Sequence, residues 1–220
     1  MQPAVRQASA TLARMVRCAI SSSFRSCFAY RAVQAIGKLQ SADMKWLRPL
    51  FTSRKTRAQA SAAERLHVSI RNAARNPALY GGASLPDTLD GRTAALALFS
   101  GLVTTRLAAT GAEGRQISTR LTNRIFDEID AGLRETGVGD ASIARKVRAI
   151  GERFVGLGIA VNEAFIGDTP ETSLIALLER NGLATGEGAS HVAGALIRAH
   201  QQLNAQPDED LISGHTAWQQ

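Results

Sequence analysis

The sequence predicts an all-α fold, a single bundle of about six helices preceded by a poorly ordered basic N-terminal extension. Three observations lead there. Apolar residues recur at helical spacing, most plainly at Ile143, Val147, Ile150, Phe154, Leu157 and Val161, where steps of four and three alternate. The periodic stretches are bounded by helix-start and helix-stop residues. No window shows sustained period-two alternation or a hairpin turn pair between β-branched runs, so a sheet is not expected.

Taken in order, Ser61-Ala62-Ala63-Glu64 reads as a capping box opening a helix that Pro77 ends after about Asn76. Pro86 to Asp90 reads as a turn, with Asp90 capping a helix of Thr93 to Ala109 that is apolar on most sides and therefore central. A third helix runs from about Gln116 to Thr136, with Leu121, Ile125, Phe126, Ile129 and Leu133 inward. Gly137 then supplies the left-handed C′ residue, and Val138 falls where it can touch Leu133. Asp140 has the chemistry to cap the fourth helix. Gly151, Gly156 and Gly158 interrupt that helix, each weakening it by roughly 1 kcal/mol relative to Ala, so close packing against another backbone or a kink is the expected compensation. Thr169-Pro170-Glu171 opens a fifth helix and Asn181-Gly182 stops it. The last spans about Glu187 to Asn204. The domain division is then 1–60 for the extension, 61–205 for the helical domain and 206–220 for a polar tail.

The chain's net charge of +7 suggests nucleic acid until it is located. Residues 1–60 hold eleven Lys or Arg and one acid, whereas 61–220 hold fifteen bases and eighteen acids. The basic character therefore belongs to the extension and not to the domain. Residues 1–43 are rich in Arg and Ser and contain no acid before Asp43, as in an organelle transit peptide, while Met44 reads as a bacterial start, the reading that the Ala- and Arg-heavy composition favours. Residues 45–57 interleave Trp46, Leu47, Leu50 and Phe51 with Lys45, Arg48, Arg54, Lys55 and Arg57, a pattern suited equally to an anionic membrane surface and to a solvated N-terminal arm. No stretch approaches the roughly 18 apolar residues of a bilayer span. Both cysteines, Cys18 and Cys27, lie in the extension, which leaves the domain without a disulfide scaffold or thiolate metal site.

Catalytic patterns are thin. His67, His191, His200 and His215 show no metal-ligand spacing and read as surface or helix-end residues, so no metal or cofactor is expected. Gly137-Val138-Gly139 lacks the preceding strand and following Lys of a phosphate loop. Asp127, Glu128 and Asp130 read as a solvated helix face before a general acid–base pair. Physical readings also exist for the remaining polar groups. Tyr80 can be satellite core, Asp87 and Asp90 turn and cap residues, and Arg92 their bridge. Asp130, Arg134 and Glu135 can be an intrahelical ion set.

Three ordered blocks go further: Ala74-Arg75-Asn76-Pro77-Ala78-Leu79-Tyr80, Pro86-Asp87-Thr88-Leu89-Asp90-Gly91-Arg92, and Leu133-Arg134-Glu135-Thr136-Gly137-Val138-Gly139-Asp140. Together they resemble the ubiquinol–cytochrome c chaperone family, assembly factors for the respiratory complex that oxidises ubiquinol. The likeness covers about residues 64 to 165. The chain departs from the family pattern at Thr93 and Phe99, where an aromatic and a His are usual, and at Leu157, where the family tends to carry Arg. The resemblance implies a non-enzymatic chaperone that binds newly made cytochrome b, or another subunit of the reductase, with a small helper protein. It further implies a place at the inner face of the energy-coupling membrane: cytoplasmic in a bacterium, on the matrix side in a mitochondrion. Tyr80, Asp87, Asp90, Arg92, Asp130, Arg134 and Glu135 become the expected partner surface, and the face around Gly151 and Gly156 is where a client helix can approach most closely. The alternatives are a nucleic-acid or ribosome adaptor acting through residues 45–57 and, behind it, an enzyme on the acidic helix 116–136.

Overall fold

The computed structural model describes the backbone of residues 54–135 and 140–219 and, within them, the side chains outside 133–144 and 219. These residues form seven α-helices: α1 Arg54–Ala74, α2 Leu89–Ala109, α3 Ala112–Glu135, α4 Asp140–Ala164, α5 Pro170–Arg180, α6 Gly186–Ala205 and α7 Asp208–Ser213. Short 3-10 turns stand at Pro77–Leu79 and Ala217–Gln219. No strand occurs among the described residues; one isolated bridge joins Tyr80 to Leu85. The all-α expectation holds, with one helix more than the six anticipated. The expected extension before residue 54 and the Gly137–Val138 helix stop lie outside the described residues.

Helix α2 is the centre. Ala94, Ala95, Ala97, Leu98, Leu102, Val103 and Leu107 are all buried, and α1, α3, α4, α6 and α7 pack around them. Its closest neighbour is α4, and small residues explain why. A Cβ on Gly101 would stand 2.6 Å from the Gly158 carbonyl oxygen and 2.7 Å from its Cα, so the two backbones touch where only hydrogen fits. Asn162 locks the crossing, its Nδ2 donating to the Gly101 carbonyl at 3.0 Å and to that of Gly158 at 2.7 Å. The three glycines of α4 thus differ: a Cβ on Gly158 would touch the Ala97 and Gly101 backbone at an ordinary 3.6 Å, one on Gly151 would meet the Phe126 ring at 3.4 Å, and one on Gly156 would face open space.

Four boundaries and one burial differ from the sequence expectations, each for a physical reason. Ser61 does not open α1, which is already helical from Arg54. Instead its hydroxyl accepts from Arg65 at 2.7 Å, and Glu64, the would-be capping-box carboxylate, is drawn across to Arg124 of α3 at 2.8 Å. Thr88, not Asp90, caps α2, its Oγ1 accepting from the Gly91 N–H at 3.2 Å; Asp90 lies inside the first turn. Helix α3 starts at Ala112, four residues early, and buried Gly114 packs the added turn onto the end of α2, where a Cβ would stand 2.0 Å from the Leu107 carbonyl oxygen.

The segment expected to be a polar tail folds back as α7 and a 3-10 turn. Asp208, Glu209 and Asp210 occupy the first turn, where the helix dipole favours acids, while Leu211 is buried. Trp218 packs edge-on against Phe99 with centroids 5.8 Å apart and donates to the Ser69 hydroxyl at 2.9 Å. The hydroxyls of Ser69 and buried Thr216 are also bonded to each other. Arg106 of α2 reaches Asp208 and the Leu203 carbonyl.

The burial concerns His67. Expected at the surface or a helix end, it is only 1% exposed, held between α1 and α3. Its Nε2 lies 2.8 Å from Glu128 Oε2, without the alignment of a hydrogen bond, and Nδ1 also lacks a partner. Burial holds the imidazole below its ordinary value of 6.5, against the opposing attraction of Glu128. Glu128 in turn meets Arg71 at 3.5 Å, so it belongs to a polar seam between helices rather than to a solvated face.

Two outcomes follow from this packing. Gly101→Ala should destabilise the fold by about 1–3 kcal/mol, because backbone must move to admit the methyl, whereas Gly158→Ala, whose Cβ would meet neighbours no closer than 3.6 Å, should be near neutral in urea titrations. Because burial lowers the folded value of His67 below 6.5, the stability of the buried imidazole is fully present above pH 6.5 and is lost as pH falls through the depressed folded value. Unfolding midpoints measured on both sides of 6.5 should show this slope in the wild type and a flatter profile in His67→Leu.

Candidate partner-binding surface

The loop between the 3-10 turn and α2 is built before any partner arrives. Asn76 caps the turn by accepting from the Ala78 N–H at 3.0 Å, and Leu85, buried, returns its N–H to the Leu79 carbonyl at 3.1 Å. The Ala83 carbonyl accepts from Thr185 at the start of α6, at 2.9 Å. A Cβ on Gly188 would stand 2.1 Å from the Ala83 carbonyl carbon, so the loop lies directly on α6.

On this frame the structure brings Tyr80, Asp87 and Arg92 together. Arg92 Nε donates to Asp87 Oδ1 at 2.6 Å, and the guanidinium sits 5.9 Å from the centre of the half-buried Tyr80 ring. The Tyr80 hydroxyl donates to the Ala74 carbonyl at the end of α1. The Arg92 hydrogen bond lowers the Asp87 carboxyl and Asp87 raises Arg92, while burial raises the Tyr80 phenol. Both charged groups are exposed. The cluster offers a planar cation, a carboxylate and an aromatic face, and it also braces the entry to α2.

Asp90 belongs to a different place. From the first turn of α2 its Oδ2 lies 3.9 Å from the Arg153 guanidinium of α4, beside a pocket of about 20 Å³ floored by Ala94, Phe154 and Leu157. Arg153 is shared with a wider groove of about 280 Å³ between α4 and α5. Gly156, Leu157, Ala160 and Leu177 line it, with Arg153, Arg180 and Asn181 supplying the polar groups. Gly156 therefore lies at an accessible surface, whereas Gly151 is covered by Phe126, whose ring meets Phe154 edge-on at 5.4 Å. Asp130 is half-buried on α3 and engaged in an interaction of its own. The side chains of Arg134 and Glu135 lie outside the described residues.

The expected set thus resolves into a Tyr80–Asp87–Arg92 cluster and an Asp90–Arg153–Gly156 neighbourhood. Sequence reasoning missed Arg153, Arg180 and three exposed apolar residues, Val155 and Ile159 on α4 and Ile166 in the turn that follows it. Their steps of four and seven carried a helical signal, overshadowed by the stronger stripe on the opposite side of the same helix. Chemically, an apolar floor edged by two guanidiniums suits recognition of an apolar segment carrying acidic groups. Among the described residues no cluster of His, Cys, Asp or Glu could hold a metal ion, and no helix is long and apolar enough to cross a membrane.

Comparison with known proteins agrees with this architecture. The chain is similar to the crystal structure of the Cbp3 homolog from Brucella abortus, with a TM-score of 0.63 and 25% sequence identity over 76% of this chain and 93% of that one. No curated protein matches the sequence. The family profile described as Ubiquinol-cytochrome C chaperone matches residues 83–218, a stretch that includes the Asp87–Arg92 pair, the α4–α5 groove and the Trp218 closure. The chain belongs to the ubiquinol–cytochrome c chaperone family.

Proposed function

We propose that this protein is a non-enzymatic chaperone that binds newly made cytochrome b while ubiquinol–cytochrome c reductase is assembled. The single observation that carries the reading is the family match over residues 83–218, from the loop before α2 to the C-terminal 3-10 turn. The α4–α5 groove is the favoured client site. Its floor is apolar, its rim is cationic, and Gly156 has nothing within 4 Å of where a side chain would begin, so a client backbone can approach α4 there. The Tyr80–Asp87–Arg92 cluster supports a second contact, with a small helper protein or with the exposed loops of the client. Residues 45–57 would add a peripheral membrane contact at the inner face of the membrane, cytoplasmic or matrix-side according to the host. The domain's excess of acids over bases disfavours nucleic acid as its partner.

Affinity capture from native membranes, in cells with and without the reductase genes, tests the client. The wild-type protein should recover cytochrome b or a neighbouring subunit only when the reductase is made, and an empty capture in both cells removes the chaperone reading. Gly156→Leu fills the groove from an open position, so far-UV circular dichroism should stay unchanged while capture falls by about tenfold or more. Undiminished capture by Gly156→Leu would move the client elsewhere on the surface.

A further inference from the structure

The α4–α5 groove carries charge on its own rim. Arg153 and Arg180 stand there, one guanidinium from each helix, beside the apolar floor of Leu157, Ala160 and Leu177. A guanidinium presents several N–H donors in a planar fork that matches a carboxylate. Arg65, Arg92, Arg106 and Arg124 commit theirs to carbonyl or carboxylate oxygens of the fold. Arg153 and Arg180 donate no hydrogen bond among the described residues. Neighbouring acids are engaged elsewhere: Glu152 accepts from Arg148 at 3.1 Å, and Glu179 from the Gly186 N–H at 3.2 Å.

Among the described residues, Asp90 is the one acid within ion-pair reach of either guanidinium. Its Oδ2 lies 3.9 Å from Arg153 Nη1, beyond hydrogen-bond distance, and both side chains are open to water. Asp90 therefore holds Arg153 by charge alone, in a contact that costs little to give up. Arg153 also stands where two cavities meet, lining the small pocket beside Asp90 and the wider groove beside Arg180.

We propose that Arg153 exchanges partners when the groove fills: it leaves Asp90 and, together with Arg180, binds a carboxylate carried by the apolar segment that lies on Leu157, Ala160 and Leu177. Asp90 is an internal competitor for that carboxylate, and it sets how strongly the acidic group is held. The groove thereby selects among apolar segments by charge, since an uncharged one fills the floor and leaves both guanidiniums unanswered. This inference rests on the groove being the client site and adds what the client must present there.

Fluorescence anisotropy of the full chain with two labelled peptides reads the selection. Both share one Leu- and Ala-rich helical sequence, and one carries a pair of Glu at its end where the other carries Gln. At low ionic strength the wild type should bind the Glu peptide about tenfold more tightly than its twin. Arg153→Gln/Arg180→Gln should bring the two affinities together. Asp90→Asn, which releases Arg153, should tighten the Glu peptide by about two- to fivefold and leave the Gln peptide unchanged. All three positions are exposed, so circular dichroism should be unaltered. Equal affinities in the wild type, discrimination that survives loss of both arginines, or no gain in Asp90→Asn would overturn the proposal. So would binding of phosphatidylglycerol vesicles that needs both arginines without any peptide discrimination, which would give the groove to lipid. Capture of cytochrome b is read separately: capture without peptide discrimination sinks the exchange and keeps the client reading, whereas discrimination with an empty capture does the reverse.

Discussion

Everything else in the structure is arranged around a helix that has no polar side. Helix α2 buries residues on almost its whole circumference, so water must be excluded from every direction at once. That requirement fixes the positions of α1, α3, α4 and α6, and it draws in α7 and the final 3-10 turn to cover Phe99. At the tightest contact, the Gly101–Gly158 crossing, backbone meets backbone and Asn162 satisfies both carbonyls. Closeness on that side has a consequence on the other. With the inward face of α4 committed to α2, its Val155–Ile159 line is left outward, where it is available to partners.

Much of this was legible because helical periodicity and cap chemistry are local. The stripe of Phe154, Leu157 and Val161 is buried as its spacing requires, and α5 begins at Pro170 and stops at Asn181, with Gly182 at positive φ. The central place of α2 was readable from its lack of a polar face. What stayed hidden was non-local. Glu64 has the sequence of a capping-box residue, and only the position of Arg124, sixty residues away, shows where its carboxylate goes. His67 looks like a surface imidazole until α3 brings Glu128 against it. The acids at 208 to 210 suggest a solvated tail, yet they also suit a helix N-terminus, and the burial of Leu211 decides between the two.

The same division holds at the candidate surface. Of the residues singled out by motif resemblance, Asp87, Arg92 and Tyr80 do converge, and Asp90 joins Gly156 through Arg153. The motif blocks themselves combine two kinds of residue. Asn76, Leu85 and Thr88 hold the loop and start α2, while the exposed charged groups they position are left to face partners. A groove between α4 and α5 could not be read from either helix alone, since its shape comes from their packing. Its one local trace was Gly156, a glycine in mid-helix that no neighbour requires.

The fold-back of residues 206–219 places a limit on timing. Trp218 and Thr216 reach Ser69 on α1, and Asp208 reaches Arg106 on α2, so partners of the last residues were synthesised more than a hundred residues earlier. While that stretch is still inside the ribosome, Phe99 has no lid and α1 is unanchored on that side. The helical domain thus closes its own interior only after residues 206–219 have been released, as a finished body rather than as an emerging one.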